Sequence, residues 1–82
     1  MEKKIDKIAK RNGLGMIKYK MVEELNELIE AIEENDEQHI LEEIADVWIT
    51  TMQYVSNKEL EDDYEIIKHI KINRTIERLD IK

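Results

Sequence analysis

Two acidic clusters, Glu23-Glu24-x-x-Glu27 and Glu43-x-x-Asp46, have the residue types and spacing to hold a hard cation. Carboxylate oxygens suit magnesium, manganese or calcium, and a three-residue spacing places the members of each cluster on one side of a helix. The clusters are also symmetric about Asn35. Glu27 lies eight residues before it and Glu43 eight after, while Glu24 and Asp46 lie eleven before and eleven after. Two helices running antiparallel from a turn at Asn35 would set the clusters side by side. The chain contains no cysteine, which excludes disulfides and thiolate zinc sites.

The elements that must position these residues follow from apolar spacing. A helix from about Met16 to Glu33 carries Ile17, Met21, Leu25, Leu28 and Ile32, and ends at Asn35-Asp36. A helix from about Glu37 to Val55 carries Ile40, Leu41, Ile44, Trp48, Met52 and Val55, with Asn35 or Asp36 as its cap. Before this pair, Lys3 to about Arg11 forms a first helix around Ile5, Ile8 and Ala9. It stops at Asn12-Gly13, residue types that tolerate left-handed backbone, and Gly13-Leu14-Gly15 is expected to act as a hinge. After the pair, Ser56-x-x-Glu59 has the pattern of a capping box for a fourth helix reaching about Leu79. That helix starts acidic (Glu59, Glu61, Asp62, Asp63) and ends basic (Lys68, Lys71, Arg74, Arg78), an order that its dipole favours. Its apolar residues fall on two faces, with Ile72, Ile76 and Leu79 rotated away from Leu60, Tyr64 and Ile67.

At about 100° per residue, Glu24 falls at one edge of the second helix's stripe, with Glu27 and Glu23 further out. Glu43 falls at the matching edge of the third helix's stripe, beside Ile40 and Val47, with Asp46 outward. Packed stripe to stripe, the two helices would bring the acids across one groove. Either cluster alone is an ordinary solvated face in a chain where Asp and Glu number 20 of 82. Their facing register and matched distances favour a site. Like charges at a half-buried seam raise one another's pKa, and a divalent cation removes that penalty.

Composition sets the frame. No proline, two glycines and 40% charged residues describe an all-α protein, expected as one domain over residues 1–82. A core this small contributes only about 3–5 kcal/mol, so bound metal or assembly into a homodimer or homotetramer, an oligomeric helical bundle, is expected to add stability. A net charge of −7 opposes binding to duplex nucleic acid. Neither a membrane span nor a secretion signal is recognisable, so a cytoplasmic protein is expected.

The motifs Lys20-Met-Val-Glu-Glu-Leu-Asn-Glu-Leu-Ile-Glu-Ala-Ile32, Leu41-Glu-Glu-Ile-Ala-Asp-Val-Trp48 and Lys71-Ile-Asn-Arg74-Thr-Ile-Glu-Arg78 resemble the all-α nucleoside triphosphate pyrophosphohydrolases, closest to the short MazG-like members. The resemblance implies a four-helix MazG-like fold built on an antiparallel hairpin of helices two and three. It implies a reaction that splits a nucleoside triphosphate between its α and β phosphates, giving a monophosphate and pyrophosphate. Glu24, Glu27, Glu43 and Asp46 would hold Mg2+, or Mn2+, and Glu23 or Glu24 would take the proton of the attacking water. Lys68, Lys71, Arg74 and Arg78 would hold the leaving pyrophosphate, and Asn73 would contact the nucleotide. Nothing beyond the fourth helix could enclose a base, so a second subunit is expected at the site. Trp48 is assigned to the core and His39 to the periphery. A helical module without catalytic activity, which oligomerises or binds a partner, is the competing reading.

Overall fold

Four α-helices follow one another in the computed structural model, which describes residues 2–81: α1 (Lys3–Arg11), α2 (Leu14–Glu34), α3 (Glu37–Asn57) and α4 (Glu61–Arg78). No strand occurs among the described residues. The two long helices form a hairpin because Asn35 can adopt a left-handed conformation (φ 58°, ψ 35°), where its N–H bonds back to the Ile32 carbonyl. Asp36 then caps α3, its carboxylate accepting the His39 N–H at 3.2 Å. Packing is most extensive between α2 and α3, α1 lies along α3, and α4 touches chiefly the end of α3.

The core sits where α1, α3 and the start of α4 meet. Ile5, Met52 and Val55 form its buried centre, with Ile49, Leu60 and Tyr64 packed around them. Two polar bonds pin α1 to α3: Asn12 Nδ2 donates to Gln53 Oε1 at 3.0 Å, and Ser56 Oγ donates to Asp6 Oδ1 at 2.7 Å. No helix among the described residues is long and apolar enough to cross a membrane.

Three details differ from the expectation. Gly15 is helical, α2 beginning at Leu14 with Gly13 as its cap, and Asn12 is extended (φ −91°, ψ 137°), so the glycine hinge is absent. The Ser56-Glu59 capping box is absent too. Its serine faces α1 instead, Glu59 takes a left-handed turn (φ 55°), and Leu60 precedes α4 without a side-chain cap. The third difference is the seam itself. On α2 the buried or half-buried positions include Ile17, Met21, Glu24, Leu28 and Ala31, whereas Leu25 and Ile32 are exposed. On α3 the face that holds Glu43 comprises Ile40, Val47, Thr50 and Tyr54, and Leu41, Ile44 and Trp48 stand outside. Spacing shows that a helix has an apolar side, but not which part of a wide stripe meets its neighbour. Ala31, fully buried, favours the face where backbones approach most closely.

Candidate metal centre

The shift of the seam moves the acids inward. Glu24 and Glu43 stand within the α2–α3 interface rather than at its edge, each taking a position that an apolar residue would otherwise fill. With Glu27, one turn on from Glu23 along α2, they form a trio whose members each offer an oxygen within 4.8 Å of the others. Glu43 is 7% exposed. Glu24 Oε2 and Glu43 Oε2 are both buried with no hydrogen-bond partner. An orphaned buried carboxylate oxygen is costly, and two on neighbouring carboxylates are more so.

The electrostatics follow. Burial first, then the hydrogen bond with Glu43 and the charges of Glu27 and Asp46, push the Glu24 carboxyl from its ordinary 4.5 to about 7. A proton on Glu24 partly relieves the site, and a divalent cation would relieve it fully. The donor set fits a hard cation, since it is all oxygen, converges from two helices and leaves two oxygens without another partner.

The other expected site residues distribute unevenly. Asp46 is exposed and lies outside the tight trio, near enough for its charge to reach Glu24. Glu23 accepts a bond from Lys20 Nζ at 2.9 Å, and its carboxylate lifts the Lys20 ammonium above its usual range. Glu23 and Glu27 also line a cleft of ≈ 370 Å³ with Tyr19, Val22, Asn26 and Glu30, so the trio opens through Glu27 onto the outer face of α2. The α4 residues are elsewhere. Lys68 pairs with Glu65 at 2.8 Å, and Lys71, Arg74 and Arg78 line a separate cavity of ≈ 310 Å³ with Glu77. Asn73 is exposed on the same helix. The cavities that Lys68, Lys71, Arg74 and Arg78 line, with the one beside Tyr64 among them, do not include Glu24, Glu27 or Glu43.

His39, expected at the periphery, is attached to the trio: its Nε2 lies 3.5 Å from Glu43 Oε1 and its Nδ1 3.3 Å from Glu34 Oε2. Its position four residues before Glu43 was the signal in the sequence. Trp48 was expected in the core and is 46% exposed, lining a groove of ≈ 620 Å³ with Ile5, Ile8, Leu41, Ile44 and Ile49.

The model of the MazG nucleotide pyrophosphohydrolase domain matches residues 13–79. The chain belongs to the MazG family. Its MazG domain includes α2, α3 and α4 whole, hence the trio and the basic residues, and leaves α1 outside. Membership makes the protein a nucleotide pyrophosphohydrolase, a hydrolase, and sets aside the reading of a helical module without catalytic activity. No curated protein and no solved structure matches the chain significantly.

Proposed function

We propose that the chain hydrolyses a nucleoside or deoxynucleoside triphosphate between the α and β phosphates in a Mg2+-dependent reaction, releasing the monophosphate and pyrophosphate and so clearing unwanted nucleotides from the cytoplasmic pool. The observation that carries this reading is the trio of Glu24, Glu27 and Glu43 with two orphaned buried oxygens inside a MazG domain. Glu24, Glu27, Glu43 and Asp46 are the cation's ligands, with Mn2+ able to replace Mg2+. The bound cation would offset the negative charge that develops on the phosphate oxygens.

The chain's own groups do the rest. Glu23, outside the trio and facing the cleft with Tyr19 and Asn26, accepts the proton of the attacking water. Glu24 is the second candidate for that role, but its orphaned oxygen commits it to the cation. Lys68, Lys71, Arg74 and Arg78 neutralise the leaving pyrophosphate, and Asn73 contacts the nucleotide.

We further propose that residues 1–82 act as one MazG-like domain assembled as a homodimer or homotetramer. Helix α4 has no buried residue along its 18 positions, whereas most helical stability in proteins comes from packing an amphipathic face. Its acidic first turn and basic end are self-complementary, because a two-fold antiparallel pairing sets each acid-rich start against the partner's basic end. Assembly would also carry α4 of one copy to the carboxylates of another.

The test is release of pyrophosphate from a panel of ribo- and deoxyribonucleoside triphosphates, with Mg2+ and with chelator. Release that chelator abolishes supports the reading. Release that persists in chelator refutes the metal role, and silence across the panel refutes the substrate class.

A further inference from the structure

We propose that His39 is a positioning residue for the metal centre: held by Glu34 at the end of α2, it fixes one oxygen of Glu43 so that the other is presented to the cation. The inference rests on the reading of Glu24, Glu27 and Glu43 as ligands.

The geometry divides the labour of the Glu43 carboxylate. Oε1 lies 3.5 Å from His39 Nε2, while Oε2 is buried and unpartnered, and the carboxylate offers an oxygen within 4.8 Å of oxygens of Glu24 and Glu27. Without a group on Oε1, the carboxylate could rotate about its terminal torsion, which is broad and roughly two-fold. A histidine nitrogen 3.5 Å from Oε1 favours one orientation through an electrostatic contact. The imidazole is itself oriented, because Nδ1 lies 3.3 Å from Glu34 Oε2. A carboxylate, an imidazole and a ligand carboxylate thus form a chain in which the outer members set the angle of the inner one.

The hairpin turn explains why these three can meet. Glu34 is the last residue of α2, Asn35 reverses the chain in the left-handed region, and Asp36 caps the His39 N–H. His39 therefore sits in the first turn of α3, with Glu34 behind it across the turn and Glu43 one helical turn ahead. The relay ties the conformation of a two-residue turn to the orientation of a buried ligand. The His39 side chain, 36% exposed, does not belong to the core, so its removal should act on the site rather than on the fold.

The experiment measures Mn2+ affinity by the loss of the free-ion paramagnetic resonance signal, in the intact chain and in His39→Ala, His39→Gln, Glu34→Ala and Glu24→Gln. His39→Ala is expected to bind Mn2+ more weakly by roughly tenfold or more, the scale of lost support behind a metal ligand. His39→Gln, whose amide nitrogen can replace Nε2, should recover most of that loss, and Glu34→Ala should fall between. Melting in chelator should be unchanged in His39→Ala. Glu24→Gln separates the two levels of inference. If Glu24→Gln loses Mn2+ while His39→Ala binds within twofold of the intact chain, the positioning role is overturned and the site stands. If Glu24→Gln binds normally, the metal centre itself is misplaced. A loss in His39→Ala that His39→Gln does not rescue also overturns the role, since a donor at that atom would then be irrelevant.

Discussion

Glu24 is where the conflict between folding and function is sharpest. Its carboxyl, at about 7 against an ordinary 4.5, binds a proton more tightly in the folded chain than in the unfolded one. Between those values the folded state holds more protons, so metal-free stability falls as pH rises from 4.5 through about 7 and levels off above. Melting in chelator should therefore be higher at pH 5 than at pH 8, and Mg2+ or Mn2+ at pH 8 should restore the difference. Glu24→Gln removes the ionisable group but keeps the shape. At pH 8 without metal it should melt above the wild-type chain, and below pH 4.5 the advantage should vanish because Glu24 is protonated in both states. The same variant should lose metal stabilisation and about a hundredfold or more of any pyrophosphohydrolase rate. A Glu24→Gln protein that is less stable at pH 8 would show that its carboxylate is satisfied in a way the orphaned oxygen denies. Both acidic clusters stood out in the sequence, because type and spacing are visible there. His39 showed there only as a residue one turn before Glu43, since its value depends on the rotamer that brings it between Glu34 and Glu43.

At the scale of elements, the number, order and approximate bounds of the helices could be inferred from periodicity, and the errors concentrate at the joints. Joints are decided by single backbone conformations and by side chains with alternative partners. Ser56 and Glu59 matched a capping box, yet the serine bonds Asp6, fifty residues away, and the chain turns through Glu59 in a left-handed conformation. A glutamate there is strained by roughly 1 kcal/mol relative to glycine. Glu59→Gly should therefore raise stability by about 0.5–1 kcal/mol, measured by denaturant unfolding, without changing Mn2+ affinity. The helix faces were also only partly apparent. Both long helices have apolar residues around more than half their circumference, so Leu25 or Ile32 on one and Leu41, Ile44 or Trp48 on the other could have made the seam. The seam selected instead buries Ala31 fully and places two carboxylates inside it, which periodicity of apolar residues cannot foretell.

For the whole molecule, the surplus of apolar surface is as informative as the acids. Val22, Leu25, Ile29 and Ile32 on α2, Leu41, Ile44 and Trp48 on α3, and Ile66, Ile67, Ile70, Ile72 and Ile76 on α4 are all at least 40% exposed. Contiguous faces of this kind mark interaction surfaces, and the polar complementarity of α4 with itself favours another copy of the chain as the occupant. If assembly also completes each site, with carboxylates from one copy and α4 cations from another, two inactive variants should rescue each other. Glu24→Gln removes a proposed ligand and Arg74→Ala removes a cation on α4, and each alone should be nearly inactive. Unfolded together in equal amounts and refolded, half the dimers are mixed, and each mixed dimer has one site built wholly from intact residues. About a quarter of wild-type activity should return. If α4 serves the carboxylates of its own copy, every site in the mixture lacks one residue or the other and no activity returns. Sedimentation of the intact chain as a monomer, with the sole tryptophan, Trp48, emitting as a solvated indole at every concentration, would refute assembly altogether. The α4 cations would then have to reach the trio by a movement of α4 within one chain.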